Sequence, residues 1–367
     1  MLADDLVLSV VDQSPMRRGG TAAQALVETV ELAQSAESLG YTRYWVAEHH
    51  NSSSFSGSSP EVLIGQIAAN TDSIRVGSGG VMLMHYSALK VAEQFKILDS
   101  FYPGRIDLGI GRAPGSDRLT SAALAYPRLQ ADLKKFPQQV IDLLGFLSGK
   151  LNKEHPFSRV RAQPGPASET TPEVWLLGSS DYSARLAALI GVPFAFADFF
   201  GDMRKHGPSV VETYRREFKP SMVLDIPKVN IALQVLCAPT TEEALYLGTS
   251  RNVNKAASFL KQQPEMHGLL HPTEATNYPL NQEGQRFMEN FRKSYIDGNP
   301  EEVRKEILEV ANLYGVTEVS IVTNCYAFQD RLRSYELIAE AISQGVTIAT
   351  ITEALAGMGG AVFLSAE

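Results

Sequence analysis

Residues 74–115, IRVGSGGVMLMHYSALKVAEQFKILDSFYPGRIDLGIGRAPG, constrain the fold more than any other stretch of this chain. The apolar, β-rich run Ile74 to Ser78 breaks into Gly79-Gly80. After an irregular segment, Val91, Ala92, Phe95 and Leu98 recur at helical spacing on one face. Pro103-Gly104 stops that helix, and a second strand, Arg105 to Ile110, ends in Gly111-Arg112-Ala113-Pro114-Gly115. Two adjacent strands joined by one helix run parallel, because a crossover of this length returns the chain to the same edge of the sheet. Both strands therefore finish at one end, where two glycine-rich loops and one arginine let backbone approach a flat, anionic ligand closely.

The same alternation recurs along the chain. Apolar strands are expected at Leu6 to Val11, Arg43 to Ala47, Val174 to Leu177, Pro193 to Ala197, Val229 to Ala238 and Glu318 to Thr323. Helices lie between them, the first from about Ala22 to Leu39 with Leu26, Val30, Ala33 and Ala36 on one stripe, the last from Arg331 to Ile342. Regularity fails from Ser116 to Pro172, apart from one helix around Pro137 to Leu147, and again from about Lys261 to Asn281. These two stretches read as insertions after strands four and seven. Eight mostly apolar strands alternating with helices predict an α/β fold, a single (β/α)8 TIM barrel over residues 1–344 followed by an apolar extension at 345–367. The rival, an open doubly wound sheet, lacks its signature, since no strand is followed by G-x-G-x-x-G with an acid about twenty residues on.

A formal net charge of -8, with no block of lysine and arginine, argues against nucleic acid or an anionic membrane as partner and leaves a small molecule. The opening MLADDLVLSVVDQSP carries acids where a signal peptide needs positive charge, so a cytoplasmic protein is expected. Cys237 and Cys325 sit in or beside apolar runs and are expected as buried, reduced thiols. No His/Cys cluster has metal-ligand spacing, so no metal site is expected.

In a barrel the site is built where the strands end, which singles out the residues after strands two, three, four and five. Glu48-His49-His50 is the clearest proton-transfer candidate, and alternation along a strand would send only one of the two histidines into the pocket. Arg112, between a glycine and a turn, can reach a phosphate with paired N–H donors or make a salt bridge at the rim. Gly178-Ser179-Ser180, at a strand end and helix start, offers either the second half of an anion site or a simple N-cap. Gly79-Gly80 marks either a tight turn or backbone that lies against a planar ring.

The segments YWVAEHHN (44–51), VGSGGVMLMHYSA (76–88), EQFKILDSFYPGRIDLGIGRAPGSD (93–117) and LLGSSDYSARLAALIGVPFAFA (176–197) resemble the bacterial luciferase-like, flavin-dependent monooxygenases. The resemblance spans about residues 6 to 344. It implies a (β/α) barrel that takes reduced FMN from a separate NAD(P)H:flavin reductase and, with oxygen, monooxygenates a small organic substrate. It implies His49 as the catalytic base. It places Gly79-Gly80 where the luciferases have a non-prolyl cis peptide against the isoalloxazine ring, Arg112 on the phosphate-binding arginine, and Ser179 and Tyr182 on the phosphate-contacting Ser and Thr. Ala113, Gly178 and Ser180 complete the cofactor-binding set. Met84-His85-Tyr86-Ser87-Ala88 departs from the Pro and Asn-His-Ser-Pro that relatives commonly show in the loop roofing the flavin. The family's dimer packs helices two and three against their mates, here the face near Val62, Ile64, Ile67 and Ala68, so a homodimer is expected. Two alternatives share the barrel: a deazaflavin-dependent oxidoreductase and a non-catalytic flavin-binding protein. In the extension, Ile348, Ile351, Leu355, Val362 and Phe363 are expected to dock on the protein's own surface or across the dimer interface, because so apolar a stretch would otherwise invite aggregation.

Overall fold

The computed structural model describes residues 6–113, 115–127, 132–165, 170–260 and 267–359, with side chains described through residue 343. The chain runs β1 (Val7–Asp12), α1 (Ala22–Ser38), β2 (Arg43–Val46), α2 (Pro60–Ala69), β3 (Arg75–Met82), α3 (Ala88–Phe101) and β4 (Ile106–Gly111). It continues through α4 (Arg118–Ala125), α5 (Phe136–Ser148), β5 (Glu173–Gly178), α6 (Asp181–Ile190), β6 (Phe194–Ala197), α7 (Gly207–Glu217) and β7 (Val229–Cys237). The last third contains α8 (Thr241–Phe259), α9 (Pro272–Thr276), α10 (Gln282–Phe291), β8 (Ile296–Gly298), α11 (Pro300–Tyr314), β9 (Glu318–Val322) and α12 (Phe328–Gly359).

Strands β1 to β7 pair in order, β7 pairs with β9, and β9 pairs back to β1, every pairing parallel. Eight parallel strands thus close on themselves with the helices outside, a (β/α)8 TIM barrel. The strands are apolar because both of their faces are covered: β2, β4 and β9 are buried throughout. The short β8 is an addition that no sequence period signals, since three residues are too few for one. It pairs with the end of β7, Val235 with Ile296, and so sets Tyr295 and Asp297 near α8.

The barrel floor is charged. Arg43 donates to Asp107 at 2.7 Å and to Glu318 at 2.8 Å, Lys228 donates to Glu173 at 2.6 Å, and Arg75 pairs with Asp107. Burial alone would raise the Glu173 carboxyl, but Arg43 and the hydrogen bond from Lys228 outweigh it and hold the group below its ordinary range. Above this lattice Trp45 and Trp175 meet edge to face at 5.3 Å between Val11, Ala195 and Val322. The open end lies above that plug.

Three expectations change. Strand β3 does not stop at Ser78 but runs through the cis Gly79–Gly80 peptide to Met82, with a register shift between Ser78 and Val81. On α2, Ile64, Ile67 and Ala68 are buried against this chain's own core, so they are not free to face a second copy; only Val62, 61% exposed, remains outside. The final helix does not end at Ile342 but continues to Gly359. Ile348, Ile351 and Leu355 lie where side chains are not described, and Val362 and Phe363 lie outside the described residues.

Candidate active site

At the carboxyl ends of the strands two adjoining cavities share Val11, Gly79, Met82, Ala113, Phe199 and Phe200. The smaller, a cleft of about 280 Å³, runs from Gly79-Gly80, Trp45 and Leu177 to a mouth formed by Arg112, Ser179 and Ser180. Its walls depend on glycine. A Cβ on Gly80 would fall 2.4 Å from Leu177 Cδ1 and 2.6 Å from the Gly109 carbonyl oxygen, and one on Gly178 would fall 2.3 Å from Ser183 Oγ. The main chain is thus packed into the wall too closely for a side chain, and at Gly79, Gly80 and Gly178 it is backbone that lines the cleft.

The mouth is arranged for an anion. Arg112 is half-buried, its guanidinium 4.1 Å over the Tyr182 ring, and it has no carboxylate partner among the described residues. Helix α6 starts beside it, and the N-cap Ser180 makes no side-chain cap bond, so its hydroxyl and the Asp181 and Tyr182 N–H groups have no partner among the described residues, while the Ser183 N–H donates to the Ser180 carbonyl. Arg112 makes no rim salt bridge among the described residues, and Ser180 holds the N-cap position of α6 without making the side-chain bond of a cap. Tyr182 is placed differently from its neighbours: it carries Arg112 on its ring and does not line the cleft.

The larger chamber, about 650 Å³, has Glu48-His49-His50 on one wall and Arg251, Asn254 and Lys255 of α8 on another. Because β2 ends at Val46, the two histidines lie beyond the strand and alternation does not separate them. Both line this chamber, contrary to the expectation that one would turn away, and neither lines the glycine cleft. The His49 ring stacks on Phe55 at 4.8 Å, and its enclosed Nδ1 has no partner among the described residues. Burial, then the nearby Lys255 cation, pushes His49 down to about 4, with Glu48 opposing only in part. His50 is held differently. Its Nε2 lies 2.7 Å from Glu48 Oε1, the Tyr86 hydroxyl donates to the same oxygen at 2.7 Å, and the Met82 N–H donates to Oε2 at 2.9 Å. One enclosed carboxylate thus ties the His50 loop to the end of β3 and to the roof segment 84–88, in which Tyr86 is pushed up by burial and by Glu48.

Cys237 and Cys325 are free and buried, and burial pushes both thiols up to about 12. Among the described residues no group of three or more His, Cys, Asp or Glu side chains is placed to hold a metal ion, and no helix is long and apolar enough to cross a membrane. Sequence reasoning missed Phe199-Phe200, which follow β6 and line both cavities; the strand-end rule, extended from strand five to strand six, would have found them. It also missed Arg251 and Lys255. Their signal was the polar run Arg251-Asn252-Val253-Asn254-Lys255 on a helix whose face toward the barrel should be apolar.

A family model described as luciferase-like monooxygenase matches residues 6–317. The chain belongs to this family. This luciferase-like chain is 44% identical over 337 residues to the uncharacterized protein YwcH of Bacillus subtilis (strain 168), covering 92% of this chain and 99% of that one. It is 37% identical over 334 residues to a luciferase-like monooxygenase of Escherichia coli (strain K12), covering 90% and 96%. The crystal structure of apo-MsnO8 shares its fold with a TM-score of 0.82 and 35% identity, covering 92% of this chain and 98% of the other.

Proposed function

We propose that this luciferase-like protein is a monooxygenase that binds reduced FMN in the glycine-walled cleft and, with molecular oxygen, oxygenates a small organic substrate in the adjoining chamber. The carrying observation is the cleft itself. It has a wall of main chain at Gly79, Gly80 and Gly178, packed at Gly80 and Gly178 too closely to take a side chain. At its mouth is an arginine with no carboxylate partner among the described residues, beside a helix whose N-cap side chain makes no cap bond. These features match a flat ring with a phosphate tail. Arg112, Ser179 and Ser180 would hold the phosphate, and Gly79, Gly80, Ala113 and Gly178 would lie along the ring and its tail. Tyr182 would set the plane of Arg112.

When bound, reduced FMN supplies the two electrons that allow one oxygen atom to enter the substrate and the other to leave as water. The protein's own part is to exclude water with Trp45, Phe199 and Phe200, to fix the roof through Glu48, and to offer His49 as a base. A histidine held near 4 is neutral at pH 7 and so free to take a proton, as a weaker base than an ordinary imidazole until a bound anion offsets the Lys255 cation. A separate flavin reductase, a homodimer and a cytoplasmic setting belong to the same reading.

The test is titration of the purified protein with reduced FMN and with a reduced deazaflavin, followed by oxygen uptake with and without candidate substrates. Tighter binding of FMN and substrate-dependent oxygen consumption are expected. Preference for the deazaflavin, or uptake that no substrate alters, would overturn it.

A further inference from the structure

The α8 wall of the chamber carries charge that the chemistry described so far does not use. Lys255 is an ammonium with no carboxylate partner among the described residues; it faces ring surfaces, its Nζ 4.7 Å from the centre of Phe291 and 5.5 Å from that of Phe200. One helical turn earlier, Arg251 is 4% exposed and lines the same chamber. Its Nη2 is paired with Asp297 at 2.5 Å and its guanidinium carbon lies 4.5 Å from the centre of the Tyr295 ring, but its enclosed Nη1 has no partner among the described residues. Arg251 and Asp297 cancel, which leaves the Lys255 charge unbalanced on this wall among the described residues.

The chamber's carboxylates are committed elsewhere. Glu48 accepts from His50, Tyr86 and the Met82 N–H, and Asp117 caps α4 through the Leu119 and Thr120 N–H groups. An ammonium between two aromatic faces still has hydrogens to give, and an unpaired buried cation is costly until an anion meets it. The wall between it and the cleft is apolar: Phe199 and Phe200 line both cavities.

We propose that this wall is a carboxylate-binding subsite, in which Lys255, seconded by Arg251 Nη1, anchors the anionic end of the substrate while its apolar remainder lies on Phe199 and Phe200 toward the cleft. The subsite deepens the oxygenase reading and rests on it for the direction in which the substrate points. Desolvation, which lowers the affinity of Lys255 for its own proton, is the strain that a bound carboxylate would relieve.

The probes are a short series of ω-phenylalkanoates and the matching primary amides, titrated by calorimetry into the full-length protein with and without oxidised FMN. Wild type should bind at least one acid about tenfold or more tightly than its amide, as a charge-assisted hydrogen bond warrants. Lys255→Met should bring acid and amide within about twofold of each other, Lys255→Arg should retain most of the preference, and FMN affinity should be unchanged in both variants. A series in which no acid exceeds its amide, absence of binding included, overturns the subsite, as does a preference that survives in Lys255→Met. A protein that shows the acid preference but does not bind FMN retains the subsite and refutes the flavin reading instead.

Discussion

Replacing His49 with glutamine isolates the electrostatics of the chamber, because glutamine keeps a polar planar group there but never titrates. In the folded protein His49 is held at about 4 against an ordinary 6.5, through burial first and Lys255 second. An unfolded chain therefore binds this proton at a pH where the folded chain refuses it. The sign follows: the contribution of His49 to stability is complete above pH 6.5, is lost as pH falls from 6.5 toward 4, and does not change further below that. At about 1.4 kcal/mol per pH unit, the gap sets an upper limit of about 3.5 kcal/mol, and the span from pH 7 to pH 4 captures somewhat less. Urea unfolding of both proteins at pH 7 and pH 4 should show the advantage of wild type over His49→Gln shrinking by about 2 to 3 kcal/mol. The imidazole proton resonance should have its midpoint near pH 4. In Lys255→Met that midpoint should rise but stay below 6.5, since burial remains. A midpoint at 6.5, or the same pH dependence in both proteins, would refute the placement of His49 as an enclosed ring beside a cation.

Other consequences concern the cleft, the floor and the tail. Arg112→Ala should weaken FMN binding by about 1.5 to 3 kcal/mol in a fluorescence titration and leave thermal stability unaltered, since the guanidinium's described contact is with the Tyr182 ring. Arg43→Met strips the buried Asp107 and Glu318 of a shared cation and should cost about 3 to 5 kcal/mol in urea unfolding; near-wild-type stability would show that Arg75 suffices for Asp107 and the hydrogen bonds from Ser9 and Asn230 suffice for Glu318. Deletion from Gly345 onward removes the end of α12 and the apolar residues beyond it, and should lower Tm or shift sedimentation toward monomer. Unchanged values would show the segment to be dispensable.

What the sequence made legible and what it hid divide along one line, the range of the interactions involved. Strand β1 and helix α1 could be read directly, because a continuous apolar run and a stripe at helical spacing encode them within a few residues. The glycine cleft could be read as well, since its parts are consecutive residues at strand ends. The two histidines could not be assigned, because their directions depend on where β2 stops, and that is set by pairing of Val46 with Ser78 and Asp12 rather than by the residues themselves. On α2 an apolar face was visible but not what covers it; Ile64 and Ile67 proved to be barrel core. Lys255 was hidden for the same reason: its meaning comes from Phe200 and Phe291, 55 and 36 positions away in the chain, and from the absence of any acid among its described neighbours. A charge on a helix reads as a solvated face until the fold shows which way the helix points. Here α8 turns it into the larger chamber.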